Sequence, residues 1–177
     1  MKRIKYFLLA AVIAALDQII KFFIRKLPEG QAFFSASPFF ELRHVTNTGA
    51  AFSLLASRQS VIVLISVLLT ALLCLYLAHE KSLSGAACTA VSGLIGGGMG
   101  NLLDRFFFGG VTDYIKLLFI RFPIFNFADM CVSASVVALI LLLLFEHQTE
   151  KTEEFHGLRS EEHTSELQSP SYLVCRL

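Results

Sequence analysis

The 177-residue chain is 55% hydrophobic with a mean hydropathy of +0.65, above the ~45–50% apolar share of ordinary soluble domains. That composition excludes a typical soluble domain and points to an integral membrane protein. A net charge of +1 lacks the clustered basic surface that nucleic acid requires, so no nucleic-acid partner is expected.

Four apolar stretches, at about 4–24, 60–78, 83–103 and 125–145, each approach the ~20 residues that cross a bilayer as a helix. The first opens Met1-Lys-Arg-Ile-Lys and also fits a cleavable signal peptide. Hydrophobicity resumes after Asp17-Gln18 with no small-x-small site before it, which favours a retained helix. Within it Asp17 and Lys21 stand four apart and share a face, the acid N-terminal as preferred. Unpaired, each would cost about 2.5–3.5 kcal/mol near the bilayer centre, so an ion pair is expected. The bland role of such a pair is to orient the helix.

The connection from Arg25 to Gln59 carries Phe39-Phe-Glu-Leu-Arg-His-Val-Thr-Asn-Thr-Gly, a β-favouring run closed by turn residues. A small sheet on the membrane surface is expected over about 30–57. In the third stretch Gly93, Gly96, Gly97 and Gly100 make two interleaved G-x-x-x-G pairs that let helices approach closely. A phosphate loop there would need a preceding strand and a following Lys-Ser or Lys-Thr, and both are missing. Asn101, Asp104 and Arg105 follow at i, i+3 and i+4 on one face, where the Arg105 fork is expected to hold Asp104 ionised. The connection from Asp104 to Ile124, apolar but broken by Pro123, is expected to be interfacial and mobile.

Cys74, Cys88, Cys131 and Cys175 show no C-x-x-C spacing, and the five histidines form no H-E-x-x-H, so no metal site is expected. An even number of helices puts both termini on one side, and Lys2, Arg3 and Lys5 nominate the cytoplasm. Charge counting leaves the orientation open, because Arg25, Lys26, Arg43, Arg58, Arg105, Lys116 and Arg121 would then fall in the outer connections.

The third helix exits and the fourth enters on one side, so Asp113 and Asp129 can converge there, with Asn126 sharing the face of Asp129. Two close carboxyls cannot both ionise cheaply, so one pKa should rise and the pair should share a proton. One member as base toward water and the other as acid toward a carbonyl or leaving nitrogen is the minimal equipment for peptide hydrolysis. These acids can instead mark helix ends, or let a small membrane subunit conduct protons or ions. No G-x-S-x-G is present, and Cys131 lacks a nearby His.

The motifs Asp17-Gln-Ile-Ile-Lys21, Asn47-Thr-Gly-Ala-Ala-Phe52, Gly97-Gly-Met-Gly-Asn-Leu-Leu-Asp-Arg105, Val111-Thr-Asp113 and Phe122-Pro-Ile-Phe-Asn-Phe-Ala-Asp129 resemble, in order, those of bacterial lipoprotein signal peptidases (signal peptidase II). The resemblance covers about Ile4 to Phe145. It implies an all-α membrane protein, a four-transmembrane-helix bundle with a small periplasmic β-sheet and an interfacial periplasmic segment. It also implies an aspartyl endopeptidase of the bacterial inner membrane with both termini cytoplasmic and its site at the periplasmic face.

The implied substrate is a diacylglyceryl-modified prolipoprotein, cut just before the lipidated lipobox cysteine. The implied catalytic pair is Asp113 and Asp129, with Asp17, Lys21, Asn47, Asn101, Asp104, Arg105 and Asn126 as the polar shell. No metal or organic cofactor is implied, membrane lipid is a partner, globomycin is the implied inhibitor, and a monomer is expected. Residues 1–150 form the peptidase domain and 151–158 a cytoplasmic tail. Composition alone would make Arg159–Leu177 a disordered tail, but its order matches an in-frame translation of a common short-read sequencing adapter, and it is read as foreign to the protein.

Overall fold

The fold is given by a computed structural model that describes residues 3–35, 38–49 and 59–145. Its first compact unit, Met1–Ala138, holds three whole helices, the sheet and the opening turns of a fourth helix; the second, Leu139–Leu177, is described over 139–145, which are helical. The motif residues Ala50, Ala51 and Phe52, the rest of the expected sheet region to 57, the 151–158 tail and the 159–177 segment lie outside the described residues.

Helices α1 (Ile4–Ile24), α2 (Gln59–His79), α3 (Gly85–Phe108) and α4 (Phe127–Phe145) are each long and apolar enough to cross a membrane. At about 1.5 Å per residue each matches the ~30 Å hydrocarbon core. Their burial inverts that of a soluble protein. On α1, Leu8, Val12, Leu16 and Ile19 face outward while Asp17 and Lys21 are fully buried, as expected where lipid is the outer solvent.

The α3 span is the most buried of the four, and its glycines explain why. A Cβ on Gly96 would sit 2.7 Å from the Ala10 carbonyl oxygen and from Ile13 of α1, and one on Gly100 2.5 Å from Asp17 Oδ2. A Cβ on Gly97 would sit 2.6 Å from the Ala128 carbonyl oxygen, and one on Gly93 would strike Ser135 Oγ. The two G-x-x-x-G pairs therefore serve different neighbours, one α1 and the other α4. Ser84 caps the start of α3 by accepting from the Ala87 N–H at 3.2 Å. Gly109, at φ +73°, ends it in a left-handed turn.

Strands β1 (Ala32–Phe34), β2 (Phe40–Asn47) and β3 (Val111–Leu117) form an antiparallel sheet in the order β1-β2-β3. The expected sheet is there, but its third strand comes from the connection read as mobile. Val111-Thr-Asp-Tyr-Ile is β-branched and aromatic, yet it becomes a strand only because β2 pairs with it across a long loop. The register sets Val45 opposite Asp113 and Asn47 opposite Val111, with an irregularity between Leu42 and Val45. Within β3, the Tyr114 and Ile115 N–H groups both donate to the Phe125 carbonyl at 3.0 and 2.8 Å, which fixes the chain as it enters α4. Helix α3 runs past its expected end to Phe108, so Asp104 lies in the helix and not in the connection.

Candidate active site

A helix start leaves four N–H groups without intrahelical partners, and those of α4 find partners from several elements. Phe127 donates to the Tyr114 hydroxyl at 3.1 Å, Ala128 to Asp17 Oδ1 at 3.1 Å, and Asp129 to Asn126 Oδ1 at 3.0 Å. Asp129 Oδ2 in turn accepts from the Asn126 N–H at 3.3 Å, a reciprocal capping box with Asp in the usual Glu position. Asp129 is thus fixed by the same bonds that begin its helix.

The amide of Asn126 ties the two aspartates together. Its Nδ2 donates to Asp113 Oδ1 at 2.6 Å and to Asn101 Oδ1 at 3.2 Å, and Asn101 Nδ2 donates to Asp129 Oδ1 at 2.7 Å. From β2, Asn47 Nδ2 reaches Asp113 Oδ2 at 2.9 Å. Both carboxyls line one cavity of about 470 Å³, walled also by Arg105, Phe122–Phe125, Met130 and Ser133. Burial pushes the Asp113 carboxyl up to about 6, against the pull of hydrogen bonds from Asn47 and Asn126, and the nearby Asp129 charge adds to the rise. Burial likewise pushes the Tyr114 phenol up to about 12, so it stays protonated.

Behind this pair lies a second pair of acids with direct cationic partners. Lys21 Nζ contacts Asp17 Oδ2 at 2.8 Å, Asp104 Oδ2 at 3.1 Å and Asn101 Oδ1 at 2.9 Å, using all three donors. The Asn101 bond matters at a distance. By holding Asn101 Oδ1, the ammonium turns Nδ2 toward Asp129. Asp17 and Lys21 pair as their spacing predicts, but the expected Arg105–Asp104 bridge is not formed. Asp104 Oδ1 pairs instead with Arg25 Nη1 at 3.0 Å, while Arg105 donates to the Asn101 carbonyl at 3.3 Å and faces the cavity. Adjacent helical residues point about 100° apart, so sharing a face with Asn101 did not bring Arg105 to Asp104.

All nine residues singled out from the sequence fall in this connected region. Sequence reasoning missed Gln18, Arg25 and Thr112. Gln18 Nε2 donates to Asp104 Oδ1 at 2.9 Å and to the Gly100 carbonyl at 3.0 Å. Arg25 had a signal, since Asp17, Lys21 and Arg25 recur every four residues. Thr112 had none, because its backbone bond to Asp104 is tertiary.

The family model described as signal peptidase (SPase) II matches residues 9–145. A lipoprotein signal peptidase of Brevibacillus brevis is 36% identical over 137 residues, covering 77% of this chain and 92% of that protein. One of Halothermothrix orenii is 34% identical over 147 residues, covering 82% and 97%. A bacterial membrane enzyme solved by the in meso method at 2.3 Å aligns with a TM-score of 0.75 and 27% identity, covering 81% of this chain and 89% of that one. With most of its length matched and its motifs gathered into one polar site inside apolar helices, the chain belongs to the signal peptidase II family.

Proposed function

We propose that the chain removes the signal peptide from diacylglyceryl-modified prolipoproteins, cutting just before the lipidated lipobox cysteine, with Asp113 and Asp129 as its catalytic dyad. One observation carries the assignment of the dyad. These two carboxyls share a cavity wall and, among the described residues, accept hydrogen bonds only from neutral amides. Such a pair can hold and pass a proton, whereas an acid locked to a cation cannot.

Asp113, whose burial favours the neutral form, holds the shared proton. Asp129 takes a proton from water as the hydroxyl adds to the scissile carbonyl carbon, and Asp113 gives its proton to the carbonyl oxygen. The resulting gem-diol is neutral. Asp129 then protonates the leaving nitrogen, the C–N bond breaks, and Asp113 recovers a proton from a gem-diol hydroxyl. The products are the signal peptide's new carboxyl terminus and the free amine of the lipidated cysteine. Asn47, Asn101 and Asn126 hold the two carboxyls in register, the positioning on which such rates depend. Asp17, Lys21 and Asp104 support Asn101 and the start of α4, and Arg105 walls the cavity.

For placement, four spans return the C-terminal end to the side of the N-terminus, and Lys2, Arg3 and Lys5 favour the cytoplasm for both. The site then opens at the periplasmic face of the bacterial inner membrane. The exposed Leu118, Phe119, Ile120 and Phe122 suit an interfacial segment, leaving the substrate's acyl chains in lipid. Globomycin is expected to fill the same cavity, and the working unit is a monomer. Residues 1–150 make the peptidase domain, 151–158 a cytoplasmic tail, and Arg159–Leu177 a translated adapter; the underlying nucleotides test the last.

The deciding experiment incubates the purified chain with a synthetic diacylglyceryl prolipoprotein and identifies products by mass. The reading expects a single cut before the modified cysteine. An uncut substrate, or a cut elsewhere, overturns it.

A further inference from the structure

Arg25 takes no part in the proton transfers, yet it sits one residue past α1 with its guanidinium committed. Its Nη1 donates to Asp104 Oδ1 at 3.0 Å and to Thr112 Oγ1 at 3.2 Å, and the group lies 4.0 Å from the centroid of the Phe108 ring. Asp104 Oδ2 accepts the Thr112 backbone N–H at 2.9 Å. Thr112 is therefore gripped twice, at its backbone by α3 and at its side chain by the residue following α1. It is buried, and its next neighbour in β3 is Asp113.

On the other side the support is looser. The β2–β3 ladder is irregular between Leu42 and Val45, and Val45 is the residue opposite Asp113. The ladder alone thus defines the Asp113 backbone less firmly than a regular pair would. We infer that Arg25, Asp104 and Thr112 form a clamp that sets the entry of β3 and so positions Asp113 against Asp129. These are positioning residues and touch no substrate. The inference rests on the dyad reading.

The two readings separate in one set of variants of the full chain, assayed on the lipidated prolipoprotein in lipid. Thr112→Val removes Oγ1 but keeps the shape and the backbone N–H. Thr112→Ser keeps the hydroxyl. Arg25→Lys keeps the charge but lacks the planar fork. Since small misplacements of a reacting group can cost up to about 10²-fold, Thr112→Val and Arg25→Lys are each expected to lower kcat about tenfold, with KM within about twofold. Thr112→Ser should recover to within about threefold of wild type, and melting should stay unchanged in all three.

Wild-type kcat for Thr112→Val, no recovery in Thr112→Ser, or losses that only follow a lowered Tm would overturn the clamp. If Asp113→Asn cleaves normally, the dyad reading fails first. If Asp113→Asn is inactive while Thr112→Val is normal, only the clamp fails.

Discussion

Two pairs of aspartates sit within one polar interior and are treated in opposite ways. Asp17 and Asp104 are fully buried, and both contact the Lys21 ammonium, with Arg25 as a second cation on Asp104. Two carboxylates face two cationic side chains, so the formal charges of the cluster balance. Among the described residues, Asp113 and Asp129 receive only amide hydrogen bonds and no cation lies within ion-pair distance of either, and both look into a cavity. Acids saturated by cations brace the helices. Acids held in place by amides remain free to exchange protons.

The largest expected effect tests the open pair directly. Asp113→Asn or Asp129→Asn should lower prolipoprotein cleavage about 10³-fold, within the range for losing a general acid or base, while insertion and melting in detergent stay near wild type. Turnover close to wild type in either variant would dissolve the distinction between the pairs.

The closed pair should fail the other way. Lys21→Met leaves two buried acids with one cation, and breaking such a buried pair typically costs about 3–5 kcal/mol. The expected result is a large drop in Tm or in folded yield, with activity lost because the fold is lost. Full stability in that variant would mean that Asp17 or Asp104 readily takes up a proton, and the two pairs would be less different than their contacts suggest.

A smaller effect comes from the helix contact that supports the closed pair. In Gly100→Ala the new methyl meets Asp17 Oδ2, whereas in Gly98→Ala it lies 3.6 Å from Thr70 Oγ1, an ordinary contact. Overpacking costs typically about 1–3 kcal/mol, so thermal unfolding should show the first variant destabilised and the second close to wild type. Equal behaviour would remove the case for close approach at Gly100.

Which parts of this were legible in the sequence follows from how local each interaction is. The bounds of α1, the Asp17–Lys21 pair and the glycine pairs depend on spacing along one helix, and spacing is written in the sequence. The wrong partner for Asp104 arose where that method ends. Residues 101, 104 and 105 show a shared face, but the cations that reach Asp104 come from α1 and the residue following it. Strand β3 was missed for the same reason, since its partner β2 lies before α2 in the chain. The amide bridge through Asn126 lay between these cases. Its i, i+3 relation to Asp129 was visible, and its reach to Asp113 was not.

The smallest effect concerns how far amides alone tune the open pair. Asn47 donates to Asp113 Oδ2, a bond that favours the charged form, so Asn47→Ala should raise the Asp113 pKa above its wild-type value of about 6. If Asp113 must carry the proton, activity is present below that pKa and lost as pH rises through it. The basic limb of kcat/KM for the free enzyme should therefore lie near 6 in wild type and higher in Asn47→Ala, while kcat, read with substrate excluding water, falls at higher pH in both. Stability follows the same sign. The folded-state pKa lies above the ordinary aspartate value of 3.8, so the contribution of Asp113 is complete below about 4 and declines as pH rises through about 6. Asp113→Asn should flatten that decline in urea unfolding, and Asn47→Ala should move it to higher pH. If Asn47→Ala instead leaves the basic limb in place and moves an acidic limb upward, Asp113 works as the ionised base and the roles of the two aspartates are exchanged.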